Sequence, residues 1–164
     1  MNTQTRNDLL ESYRSAGDIL ASALQRYPRG MWQFRPSPDS WTIHEIIVHI
    51  ADSEVNSYVR CRRLLAEPGS QVLGYDEMRW AHALDYHAQN PEDALELFVL
   101  LRKLSYRLIH SQPDSAAIWS NTIHHSENGR MTMDDWLETY ARHIPDHVAQ
   151  MDEVYQAWLS SPNR

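Results

Sequence analysis

The side chains best suited to chemistry in this sequence are histidines, and two of them stand four residues apart near the carboxyl end. His143 and His147 are separated by about one helical turn, so on a helix both imidazoles lie on one face. Two imidazoles placed this way suit two coordination positions of one metal ion. Surface or capping histidines share the same spacing, and for an isolated pair that plainer interpretation is the favoured one.

A third histidine changes this balance. His143 and His147 follow the apolar register of Tyr140 and Met151, and His49 borders the apolar stripe of an earlier helical segment. Three imidazoles from two helices leave coordination positions open for water or substrate, which is typical of catalytic metal sites. The sequence therefore predicts a divalent site at His49, His143 and His147, with zinc or nickel as the best-suited ions. The chain has 9 His and only 1 Cys, which excludes a cysteine-rich zinc module.

Pro145 stands between the paired histidines and leaves two interpretations open. A proline inside a helix removes one hydrogen bond and tends to kink the helix. The alternative is a helix that breaks near Arg142 and restarts with Pro145 in its first turn, which would separate the two imidazoles. The periodicity is intact on both sides of the proline, and this favours the kinked helix.

Other candidate site residues are less specific. Glu54 falls on the apolar side of its helix and is predicted as a general base or a histidine partner, unless the helix turns it towards solvent. Arg60 lies on nearly the same helix line as His49 and is a candidate for holding an anionic substrate group, although an ordinary surface ion pair is an equal alternative. Tyr75 and Trp80 are candidates for lining a substrate pocket.

Four amphipathic helices are predicted to position these residues, with residues 71–89 forming a loop and one short helix. Thr42 with Glu45, and Thr132 with Asp135, form capping-box patterns that mark two helix starts, and Asn90 is a good cap for a third. Residues 118–124 are a candidate for one short extended piece and Asn128-Gly129 is a strong turn signal, but no convincing strand ladder occurs. The predicted fold is all-α, a four-helix bundle with long connections in a single domain over residues 1–164. The predicted helices span residues 5–26, 42–67, 90–111 and 132–159.

Composition limits the partners and the compartment. The net charge is -7, and no basic stripe of the kind that binds nucleic acid is present. The longest apolar run is too short to span a membrane, and the amino terminus lacks the apolar core of a secretory signal. These features, with one cysteine, predict a cytoplasmic protein that acts on a small molecule.

Three separated motifs resemble one known family. The stretch 41–53, then Tyr75-Asp76-Glu77-x-Arg79-Trp80, then Tyr140-Ala141-Arg142-His143-x-x-x-His147 are similar to the DinB-like superfamily and its YfiT-like branch. The likeness runs from about residue 32 to residue 155. It implies a four-helix bundle, a three-histidine divalent site and a homodimer. Two positions depart from the family pattern: Glu54 stands where the signature has a histidine, and Pro145 interrupts the paired-histidine motif.

The resemblance also orders the functional hypotheses. The branch contains proteins classed as metal-dependent hydrolases and bacillithiol S-transferases. The leading expectation is a metal-dependent enzyme that transfers a low-molecular-weight thiol to an electrophile. The alternatives are a hydrolase using hydroxide generated at the metal, and a non-catalytic metal-binding dimer linked to stress responses.

Overall fold

The computed structural model describes residues 1–112 and 117–162, and this part of the chain is mostly helical. Four long helices carry the fold, as predicted, and their ends lie within two residues of the predicted ends. Part of the predicted connection 111–130 lies outside the described residues. The helices are α1 (Thr3–Leu24), α2 (Ile43–Ala66), α3 (Glu77–Ala83), α4 (Pro91–His110) and α5 (Met133–Leu159); the strands are β1 (Gln71–Val72), β2 (Thr122–His125) and β3 (Gly129–Thr132).

The sequence specifies the helix starts through side-chain caps. The Thr42 hydroxyl accepts from the Glu45 amide while the Glu45 carboxylate accepts from the Thr42 amide, so the predicted capping box of α2 is confirmed. Thr132 and Asp135 form the same reciprocal pair at the start of α5. Asn90 caps α4 ahead of a proline at its first position. The two helices that carry the histidines therefore begin at fixed residues, which fixes the register of their faces.

The long helices pack as a bundle around an apolar core. Helix α1 lies against α5 and α4, and α2 lies against α4 and α5. The largest side chains of this interior have almost no exposed surface: Trp136, Tyr13, Tyr86, Phe98 and Leu20. This arrangement confirms the predicted four-helix bundle. In the described ranges, no helix combines the length and apolar character needed to cross a membrane.

A small three-stranded sheet accompanies the bundle; the extended piece predicted at residues 118–124 overlaps its strand β2, and the other two strands were not predicted. Strand β1 pairs in parallel with β2, and β2 pairs antiparallel with β3 across the turn that ends at Gly129. Gly129 has a φ of 71°, which explains the Asn128-Gly129 turn signal. Strands of two and four residues are too short to show a period of two in sequence. The sheet links the end of α2 to the start of α5.

Helix α5 continues through Pro145 without interruption. The interpretation of one helix carrying both histidines is therefore confirmed, and the alternative of a break near Arg142 is wrong. The structure also shows which group replaces the helical hydrogen bond that Pro145 cannot donate. The Ser12 hydroxyl of α1 donates to the Ala141 carbonyl at 3.1 Å, and that carbonyl is the one whose helical donor Pro145 lacks.

Candidate metal centre

Three imidazoles from α2 and α5 meet inside the bundle. Ring centroids lie 5.5 Å apart for His49 and His143, 4.9 Å for His49 and His147, and 4.5 Å for His143 and His147. One nitrogen from each ring can be chosen so that all three lie within 4.8 Å of one another. We call these residues the histidine triad. The structure thus brings together the three residues that the sequence singled out.

Burial keeps the triad neutral. It lowers the pKa of His49 from 6.5 to about 3, with a further contribution from the neighbouring His147. Burial also lowers the pKa of His143 well below its usual value, and that of His147, where a hydrogen bond to Gln150 opposes the shift. At neutral pH all three rings therefore offer a nitrogen lone pair, the form that binds a metal ion.

The hydrogen bonds of the triad are compatible with metal coordination. His147 Nδ1 lies 2.9 Å from the Gln150 Oε1, which only accepts, so the proton is on Nδ1 and the lone pair is on Nε2. That Nε2 is 3.1 Å from the Nε2 of His143, so both nitrogens face one point. Within the described ranges, the buried Nδ1 atoms of His49 and His143 have no hydrogen-bond partner. Three neutral imidazoles that each place a nitrogen within 4.8 Å of the other two fit a divalent cation.

A cleft of about 510 Å³ opens beside the triad, with His147 in its wall. The Trp41 ring meets His49 edge-on at 4.7 Å, and a carboxylate oxygen of Glu77 lies 3.9 Å from His49 Nε2. The pKa of Glu77 is raised, first by partial burial and then by the negative charges of nearby acids. Among the residues that the structure describes, no Lys or Arg lines this cleft, whereas three acids do: Asp39, Glu77 and Glu153.

Sequence reasoning missed three neighbours of the triad: Trp41, Glu77 and Gln150. A helical signal existed for Gln150, because it stands three residues after His147 on the same face. Trp41 and Glu77 lie inside the quoted motifs, but Glu77 reaches His49 through the short helix α3, a long-range contact that spacing does not reveal.

Glu54 is buried, as its angle on the helix predicted, and it contacts a different set of side chains. Its Oε2 accepts from the Arg102 guanidinium at 2.6 Å and 3.0 Å, and its Oε1 accepts from the Tyr13 hydroxyl at 2.9 Å. A third Arg102 donor reaches the Tyr140 carbonyl at 3.0 Å. We call Glu54, Arg102 and Tyr13 the Glu54 cluster. A general-base role for Glu54 stays a prediction.

The three predicted substrate-binding residues occupy a neighbouring region. The Arg60 guanidinium donates to the Tyr140 hydroxyl at 2.8 Å and to the Leu73 carbonyl at 3.1 Å. Tyr75 and Trp80 contact each other with ring centroids 4.5 Å apart. None of the three lines the cleft beside His147. Their part in substrate binding stays a prediction.

Cys61 and His125 have side chains that could take part in chemistry, but both have contacts typical of structural residues. Cys61 is fully buried, and burial raises the pKa of its thiol to about 12, which agrees with the expected packing role. His125 lies in β2 and its Nδ1 accepts from two amides of the turn that follows, those of Glu127 and Asn128.

Comparison with known proteins agrees with this geometry. The sequence model of the DinB superfamily matches residues 12–151. The chain belongs to the DinB superfamily. Among curated DinB relatives, a protein of Oceanobacillus iheyensis is 31% identical over 114 residues, and YfiT of Bacillus subtilis is 27% identical over 115 residues. Both are provisionally named metal-dependent hydrolases. Each match covers 70% of this chain and 64% of the relative, which is just under two thirds of the relative's length.

A solved structure supports the fold. YfiT from Bacillus subtilis superposes with a TM-score of 0.86 and 21% sequence identity, covering 98% of this chain and 91% of that chain. Its description names an unusual four-helix bundle topology. The superposition shows that this DinB chain shares that bundle.

Proposed function

We propose that this protein is a metal-dependent enzyme whose histidine triad binds one divalent ion, with zinc or nickel the best-suited metals. The observation that carries the proposal is the convergence of three neutral imidazoles, one buried and two half-buried, beside an open cleft whose wall includes His147. Three protein ligands leave positions free, which a structural site would close. The names of the DinB relatives as metal-dependent hydrolases agree with this proposal.

The reaction we propose is transfer of a low-molecular-weight thiol to an electrophile. The thiol loses its proton to a base, its sulfur forms a bond to an electrophilic carbon, and the leaving group departs with the electron pair of the broken bond. A divalent ion in the triad would supply the Lewis acidity that lowers the pKa of a thiol or of water. The protein's own residues then have to accept the proton and orient the partners.

Glu77 is our first candidate for the proton acceptor, ahead of Glu54. Its carboxylate lies 3.9 Å from His49 Nε2 and lines the cleft, and its raised pKa brings it closer to the working range of a general base. Glu54, by contrast, has both carboxylate oxygens engaged by Arg102 and Tyr13. The edge of the Trp41 ring covers His49 on the cleft side and would limit access of water.

The charges of the cleft indicate the kind of thiol or electrophile that fits. Asp39, Glu77 and Glu153 line it without a basic neighbour. Arg60, the residue proposed for an acidic group, is instead held by Tyr140 and Leu73. We therefore propose that substrates carrying an amine or no charge are preferred to polyanionic ones at this cleft.

Hydrolysis is the second candidate, since the relatives carry that name and the same triad serves both reactions. The two reactions are separated by incubating the zinc-loaded protein with a thiol panel and a generic chloro-aromatic electrophile. Saturable thiol consumption that stops on chelation and returns with zinc supports transfer. Consumption of the electrophile without loss of thiol supports hydrolysis.

A non-catalytic, metal-binding role is the third candidate. It predicts that zinc raises thermal stability while neither thiol nor electrophile is consumed.

We also propose a homodimer, since α4 exposes a leucine stripe at helical spacing, formed by Leu97, Leu100 and Leu104. Sedimentation of the wild type beside Leu100→Glu tests it: a dimer that becomes a monomer supports the proposal, and a monomeric wild type contradicts it.

A further inference from the structure

Two side chains from different helices reach the turn of α5 that leads to His143. The Ser12 hydroxyl donates to the Ala141 carbonyl at 3.1 Å, and Arg102 Nη1 donates to the Tyr140 carbonyl at 3.0 Å. These two carbonyls are consecutive in the chain. His143 follows within the same turn, and His147 begins the next one.

Pro145 explains why the Ala141 carbonyl needs an outside donor. In an uninterrupted helix that carbonyl accepts from the amide four residues later, but residue 145 has no amide hydrogen. A proline ring inside a helix also crowds the carbonyl four residues earlier, here that of Ala141, so this turn of α5 lacks the bond that normally holds its shape. Both histidines stand two residues from this proline, so the arrangement of their imidazoles depends on how this turn is held.

The donors themselves are fixed. Arg102 is 2% exposed, and two of its other nitrogens are held by the Glu54 carboxylate. Ser12 projects from α1, which packs along α5. A donor mounted on a separate rigid helix holds a carbonyl in one place, whereas a water molecule would not.

We infer that Ser12 and Arg102 are positioning residues for the metal centre: by donating to the Ala141 and Tyr140 carbonyls they hold the turn of α5 before Pro145 in the shape that makes His143 and His147 converge. The inference rests on the proposed metal site. It gives the Glu54 cluster a part in that site, because the Glu54 carboxylate orients the Arg102 guanidinium.

The test is a double-mutant cycle between Ser12 and Pro145, read by metal binding rather than by activity. Zinc affinity is measured by competition with a chromophoric chelator, and ligand geometry by the visible spectrum of the cobalt-loaded protein. Ser12→Ala in the wild type should weaken zinc binding by roughly tenfold, as expected for loss of a contact that orients metal ligands, and should shift the cobalt bands. Ser12→Thr keeps the hydroxyl and should restore both.

Pro145→Ala supplies the missing amide, so Ser12→Ala should have almost no effect on zinc affinity in that background. Ser15→Ala is the matched control, because the Ser15 hydroxyl donates only to carbonyls of its own helix, those of Glu11 and Ser12. Arg102→Lys tests the second donor with the positive charge beside Glu54 retained, and it should also shift the cobalt bands.

The outcomes separate the two proposals. A wild type that binds neither zinc nor cobalt overturns the metal site and this inference together. A wild type that binds zinc, with Ser12→Ala equally weakened in both backgrounds or unaffected in both, overturns the inference alone.

Discussion

Two polar clusters are buried in this bundle, and they differ in how their atoms are satisfied. In the Glu54 cluster, the carboxylate accepts from Arg102 and Tyr13, and the remaining Arg102 donor reaches a main-chain carbonyl. In the histidine triad, the buried Nδ1 atoms of His49 and His143 lack a partner within the described ranges, and burial lowers all three pKa values. Each of the three neutral rings also places a nitrogen within 4.8 Å of the other two, an arrangement that a bound cation completes. The first cluster is complete within the chain, whereas the second is arranged for a cation.

Breaking the Glu54 cluster should give the largest loss of stability. Glu54→Gln leaves the Arg102 charge buried without its counter-ion, and we expect unfolding in urea to be easier by about 3–5 kcal/mol. Arg63 and Glu67 form an exposed pair on the same helix, so Glu67→Gln is the matched control and should cost less than about 1 kcal/mol. Equal effects of the two variants would contradict the comparison.

The histidine triad should make the folding stability of the metal-free protein sensitive to acid. The pKa of His49 falls from 6.5 to about 3 on folding, so below pH 6.5 the unfolded chain binds more protons than the folded one. Stability should therefore decline as the pH falls from 7, by about 2 kcal/mol at pH 5 from His49 alone.

His49→Gln should flatten this decline when unfolding is followed at pH 7, 6 and 5. The control is His124→Gln, since His124 is exposed on β2. A wild-type stability that is flat over this range, or a slope that His49→Gln leaves unchanged, would show that the triad is not held neutral by burial.

Pro145 lies between the paired histidines of α5 and should carry a moderate stability cost. Pro145→Ala supplies an amide to the Ala141 carbonyl and favours helix, so the free energy of unfolding should rise by about 1–2 kcal/mol. Thermal unfolding of the metal-free protein measures the change. No gain would indicate that Ser12 already compensates fully for the missing amide.

The smallest effect concerns the charge of the cleft. Cysteamine and 3-mercaptopropionate are thiols of similar size and opposite charge, and the acids around His147 should favour the first by about fivefold, or about 1 kcal/mol. Glu77→Gln should reduce the preference, while Glu92→Gln, remote on α4 and paired with Arg29, should not. Perturbation of the cobalt spectrum by each thiol gives the affinities. A preference for the anionic thiol would contradict the assignment.

Much of this comparison was accessible from sequence, and its limits are physical. The bundle was predicted from the helical period and from the caps at Thr42, Asn90 and Thr132. The triad was predicted from the four-residue spacing of His143 and His147 and from the position of His49 at the border of an apolar stripe. The burial of Glu54 also followed from its angle on the helix. Its partner Arg102 did not, because that contact joins residues 48 positions apart through tertiary packing. The Glu77 contact and the strands β1 and β3 were missed as well, because neither a single tertiary contact nor so short a strand leaves a periodic pattern.

The central claim is that the histidine triad is a metal site, and metal content tests it most directly. Wild type, His49→Ala, His143→Ala and His147→Ala are loaded with zinc, freed of excess and analysed for metal per chain, with His124→Ala as the control. The account predicts one zinc per chain for the wild type and the control, and loss of that zinc in each triad variant. The same metal content in the wild type and all three triad variants would contradict it.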